Sequence, residues 1–132
     1  MLSEQGHERP VISSPENVDR LLRGRMAHLD RKRFVVLLLG AKNAVIEIHT
    51  VFIGTLTSSL VHPREVFNPA VRASAAGIIL SRNHPTGKSE PSHEDREVTE
   101  RIARAGKTLG IVVLDDLVIG DAFFSFKEHG LI

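Results

Sequence analysis

Apolar residues recur along this chain in two rhythms, and the switches between them predict its elements. Ser14-Pro15 has the form of a helix start, with serine as N-cap and proline at the first helical position. Val18, Leu21, Leu22 and Met26 follow at helical spacing and carry that helix to about His28. Phe34 to Leu39 is an unbroken apolar run of strand length. Ala41-Lys42-Asn43 reads as a turn and Ala44 to about Gly54 as a long strand, so the two strands form a hairpin. Thr55 to Val61 would extend the sheet as a bent or separate strand. Pro63 opens a second helix, with Val66, Phe67, Ala70 and Val71 on one face. Gly77 to Leu80 is a short buried strand. Val98, Ile102, Ala105 and Leu109 recur at four, three and four, which predicts a helix from Ser92 to Leu109 closed by Gly110. Ile111 to Ile119 and Ala122 to Phe126 are the last strands, joined at Gly120-Asp121. The order α β β (β) α β α β β predicts a mixed α/β fold, a central sheet flanked by about three helices.

Composition narrows the picture without changing it. The 132 residues suffice for one domain with a core, drawn here as 14–132 behind a flexible arm of residues 1–13. A net charge of +1 gives no long-range field toward nucleic acid. Cysteine is absent, which excludes disulfides and any thiolate site and suits a cytoplasmic protein. No apolar run approaches the length of a membrane span. The basic residues Arg20, Arg23, Arg25, Arg31, Lys32 and Arg33 could touch phosphate. Asp19 and Asp30 dilute them, so a solvated helix face is the plainer reading.

The chemistry concentrates in Ser81-Arg82-Asn83-His84-Pro85-Thr86-Gly87 and Ser92-His93-Glu94-Asp95. The stretch resembles the metal-hydrolase pattern H-x-H-P…S-x-x-D with Arg82 in place of its first histidine. Gly54-Thr55-Leu56-Thr57-Ser58-Ser59-Leu60-Val61-His62-Pro63-Arg64-Glu65-Val66-Phe67, Ala105-Gly106-Lys107-Thr108-Leu109-Gly110-Ile111 and Phe124-Ser125-Phe126 add to the likeness. On these segments the chain resembles the JAB (MPN/JAMM) domain of RadC-type proteins, from about residue 14 to the end. The resemblance implies a cytidine-deaminase-like JAB/MPN fold. RadC proteins usually carry an N-terminal helix-hairpin-helix segment too, and these residues do not read as one.

The family likeness also implies roles. Two histidines and an aspartate would hold zinc, a glutamate would act as general base, and Ser92 would be the oxyanion donor. His84 and Asp95 are the retained ligands. Arg82 replaces the third ligand, and a guanidinium has no lone pair to give a metal. Lys32 stands where the family has its base, and Asp115-Asp116 where it usually reads D-H. Asp116 could supply a ligand only in a new geometry. No cofactor is therefore expected, with zinc as the alternative. Without a dication, Asp95 would need another counter-charge, and Arg82 and Lys32 are expected to pair with it and with Asp116. Asp115 adds to the electrostatics of the cleft and should hydrogen-bond locally. Ser92 with Asp95 also reads as a capping-box variant, and His84-Pro85 as a turn after a strand.

Three functions follow from this reading. The first is a non-catalytic binding or assembly module with a protein or peptide partner. The second is a zinc-dependent JAMM-type isopeptidase or peptidase with a rearranged site. The third is a DNA-repair-associated factor, for which the balanced charge and the lack of tryptophan and tyrosine offer least support. A membrane partner is not expected, and an exposed sheet edge would permit homo-oligomers.

Overall fold

The apolar run of β1 (Arg33–Leu39) is buried on both faces, which explains why it lacks polar alternation. In the computed structural model, which describes residues 9–54 and 61–132, it lies inside a five-stranded sheet. The other elements are α1 (Pro15–Met26), β2 (Val45–Ile53), α2 (Pro63–Arg72), β3 (Gly77–Asn83), α3 (His93–Leu109), β4 (Val112–Ile119) and β5 (Phe123–Ser125). A short 3-10 turn, Ala41–Asn43, joins β1 to β2. The strand order is β2-β1-β3-β4-β5, with β3 and β4 parallel and the other pairs antiparallel. This is the mixed sheet with three helices that the pattern predicted. No helix among the described residues is long and apolar enough to cross a membrane.

Two cores sit on opposite faces of the sheet. Phe34, Val36, Leu38, Ile78 and Leu80 pack with Val66, Phe67, Val98 and Ile102 of α2 and α3. Val35, Leu37, Leu39, Ile79 and Leu117 pack with Val18, Leu22 and Met26 of α1. The period-2 alternation of β1 thus divides its side chains between two helical layers.

Several boundaries move. α1 ends at Met26, short of His28, which adopts a positive φ of 62°. Of the arm expected over residues 1–13, Val11 and Ile12 are tied to the fold, and residues 1–8 lie outside the described residues. Val11 bridges to Ala44, Ile12 N donates to the Asn43 carbonyl and Ile12 is buried. β3 runs on to Asn83, so Arg82 is a strand residue. The extra strand expected over Thr55 to Val61 falls almost wholly outside the described residues.

Candidate functional site

Register brings the site together before any side chain is considered. Arg82 lies opposite Phe34 on β1, and Leu80 opposite Asp116 on β4. Residues two apart on a strand share a face, so Leu80, Arg82 and Asp116 all look toward α3. β4 reaches this phase through a bulge. Ile78 pairs with Val113 but Ile79 with Asp115, which leaves Leu114 as the extra residue. Because the bulge shifts the alternation, it is Asp116 and not Asp115 that faces α3.

The start of α3 supplies the other half. Ser92 is the N-cap: its Oγ accepts from Asp95 N at 3.1 Å, and Asp95 Oδ2 accepts from Ser92 N at 2.8 Å. This reciprocal capping box satisfies two backbone donors that a helix start leaves open. It also fixes the Asp95 carboxylate beside β3.

Arg82 joins the two halves. It is only 3% exposed. Its Nη1 donates to Asp95 Oδ1 at 3.0 Å. Its Nη2 donates to Asp116 Oδ2 and, at 2.9 Å, to Thr99 Oγ1, while Nε reaches Asp116 Oδ1 at 3.4 Å. The guanidinium also lies 4.9 Å from the centroid of the Phe34 ring, a favourable cation–π distance. Thr99 stands one turn along α3 from Asp95, and its hydroxyl is within hydrogen-bonding reach of Asp116 and of the Asp95 carbonyl.

His84 closes the cluster from the turn after β3. Its Nε2 lies 2.9 Å from Asp95 Oδ2, and its Nδ1 lies 2.9 Å from the Lys88 carbonyl. Both ring nitrogens face oxygen acceptors, so both bonds form together only when each carries a hydrogen. The turn itself is docked on the β4–β5 corner, where Asp121 N donates to the Gly87 carbonyl at 2.7 Å. Gly120 makes this approach possible: a Cβ there would sit 2.3 Å from the Gly87 oxygen.

The electrostatics follow from this packing. Burial works against the charge on Arg82, but Asp116 and then Asp95 outweigh it and raise the guanidinium pKa. Burial would likewise raise the Asp95 carboxyl. The His84 hydrogen bond, the Arg82 charge and the Ser92 N–H together hold it well below the ordinary carboxylate range.

The side chains of the cluster are engaged with one another. Arg82 stands at the sequence position where the resemblance implies a third ligand. The Asp95 oxygens are already taken by Arg82, Ser92 N and His84. Asp116 is held by Arg82 and Thr99. Among the described residues, no three His, Asp or Glu side chains converge to hold a metal ion. The depression over the cluster, bordered by Lys32, Phe34, Phe52, His84 and Asp95, has a volume of about 10 Å³, room for about one water.

Two expected members stand apart. Lys32 borders that depression but is exposed and makes no ion pair with a described residue, so it does not share the Asp95 charge as expected. Arg82 already neutralises the buried Asp95, and Lys32 would have to give up its hydration to join them. Asp115 lies on the α1 side of the sheet, outside the cleft to which it had been assigned. There it accepts from Ser125 Oγ at 2.6 Å, Lys127 N at 3.0 Å and Asp116 N at 2.7 Å. Burial raises its carboxyl against the opposing effect of those bonds. Sequence reasoning missed Thr99 and Asn83. Thr99 was legible from its i+4 spacing to Asp95 on the predicted helix. Asn83, whose side-chain amide bonds Arg33 N and the Arg31 carbonyl, carried no signal, because that role depends on which backbone lies beside β3.

Comparison with known proteins places the chain among relatives. The family model described as RadC-like JAB domain matches residues 12–131. A UPF0758 protein of Rubrobacter xylanophilus is 64% identical over 124 residues, 94% of this chain and 55% of the relative. A UPF0758 protein of Symbiobacterium thermophilum is 52% identical over 94% of this chain and 53% of its own length. One from Caldanaerobacter subterraneus is 50% identical over 98% of this chain and 56% of its own length. The chain therefore spans about half the length of these relatives.

Proposed function

The chain belongs to the RadC-like JAB domain family, and we propose that this member is a non-catalytic binding or assembly module in which a buried arginine takes the place of the metal. One observation carries the reading: Arg82 bonds Asp95 and Asp116 at once inside a cleft closed to solvent. A hydrolase of the kind the resemblance implies needs a Lewis acid, a base and an open position for substrate. Here a fixed cation fills the first, an exposed lysine stands for the second, and a depression the size of a water replaces the third. The cluster then serves the fold, tying α3 to β3 and β4, and the surface around it is free to bind a partner.

Thermal unfolding with and without zinc tests this. A ligand that binds only the folded state raises the melting temperature by mass action. The parent chain should show no zinc-dependent rise at micromolar metal, whereas R82H/K32E, which restores the ligand and base positions, should gain one. A rise in the parent as large as in the double variant would overturn the reading.

A further inference from the structure

The basic tripeptide Arg31-Lys32-Arg33 is held in a way that a solvated charge run is not. The Asn83 amide grips its backbone at both ends: Oδ1 accepts from Arg33 N at 2.6 Å, and Nδ2 donates to the Arg31 carbonyl at 2.9 Å. None of the three cations forms an ion pair with a described residue. Arg33 Nε is buried and makes no hydrogen bond to a described residue. A buried donor left unmade is costly, and such a group calls for an explanation beyond the chain's own contacts.

Beside Arg33 lies a depression of about 220 Å³, walled by Leu29, Asp30, Arg31, Arg33 and Ile53. Ile53 is 50% exposed there. The space is smaller than the roughly 300–1,000 Å³ of sites for whole small molecules. It is about right for one amino-acid side chain. Two of its lining residues are aliphatic and two are arginines, whose guanidinium groups pair with carboxylates in fixed fork geometry. Asp30 on the same rim disfavours a string of negative charges. A nucleic-acid backbone brings repeated phosphates and no aliphatic group, so it fits this combination poorly.

We infer that this depression recognises a carboxylate carried next to an aliphatic side chain on a partner peptide, either a chain terminus or an internal acidic residue. The inference rests on the binding-module reading and names the chemistry of its partner. The carboxylate bridges Arg31 and Arg33, and the aliphatic group covers Leu29 and Ile53. Lys32, on the neighbouring side of the strand start, adds attraction during approach.

Titration of the full chain with short peptides, followed by backbone amide NMR shifts, tests this. The probes are acetyl-Gly-Ser-Gly-Ala-Leu as the free acid, the same peptide amidated, and acetyl-Gly-Ser-Gly-Leu-Asp-amide. At least one carboxylate peptide should saturate, with shifts at residues 29–33 and 53, and the amidated peptide should bind at least tenfold more weakly. Preference between the two carboxylate peptides identifies the source. R33M and the exposed R31Q should each weaken binding at least fivefold, and R20Q, a cation elsewhere on the surface, should leave it unchanged. R31Q keeps the test decisive if R33M does not fold. Equal binding of acid and amide, no saturation by either carboxylate peptide, or tighter binding of a single-stranded 12-nucleotide DNA would overturn the inference. The zinc experiment above is independent of this one. A zinc-stabilised parent that still bound the carboxylate peptides would overturn the module reading while leaving this site in place.

Discussion

Arg82 is the residue on which the site turns, and its chemistry was legible from the sequence. A guanidinium cannot ligate a metal, so a reader of the motif could expect an ion pair to Asp95. The structure has that pair and the Asp116 contact expected beside it, and adds Thr99. Lys32 was not legible in the same way. Its sequence position gave its charge but not whether the side chain would turn inward. Removing Arg82 leaves two buried carboxylates without a partner. R82M, nearly equal in volume, should therefore lose about 3–5 kcal/mol of stability, measured by urea unfolding. Asp95 gives a pH test. Its folded pKa lies below its unfolded value of about 3.9, so the stability it contributes is present above that pH. That contribution is lost as pH falls from there toward the lower folded pKa. D95N should be less stable than the parent at pH 7, and the gap should narrow as pH falls below about 4. Asp115, raised by burial, acts with the opposite sign: its ionisation costs stability, and the cost disappears as pH falls through its raised pKa.

At the scale of elements, the capping box of α3 has two tasks. Asp95 closes the helix start through Ser92 N and anchors Arg82 through its other oxygen. The Ser-x-x-Asp spacing made the cap readable, and the helical period placed α3 almost to the residue. S92A should cost roughly 0.5–2 kcal/mol by thermal or denaturant unfolding, with most of the Arg82 pairing retained. The bulge in β4 was not readable. Asp115 and Asp116 are adjacent, so alternation alone puts them on opposite faces but cannot say which faces α3. Leu114, inserted against β3, decides it, and no side-chain pattern marks that insertion. Gly120 supplies a check on the corner that seats His84. G120A would drive a Cβ into the Gly87 carbonyl, so it should destabilise by about 1–3 kcal/mol and shift the His84 ring resonances.

At the scale of the whole molecule, the two-sided burial of β1 and the three amphipathic helices led to the layered fold without help from the motif. Family resemblance fixed where to look for chemistry, and the departures from its pattern set the question. Packing then answered what sequence could not: three charged positions that look equivalent in the chain end in three environments. Arg82 is buried and paired, Lys32 is in solvent, and Asp115 is across the sheet. The central claim is that an internal guanidinium stands in for the metal. Elemental analysis of the full chain, purified without chelator from zinc-supplemented medium, tests it most directly. The predicted result is zinc far below one ion per chain. About one zinc per chain, lost in H84A or D95A, would contradict the account.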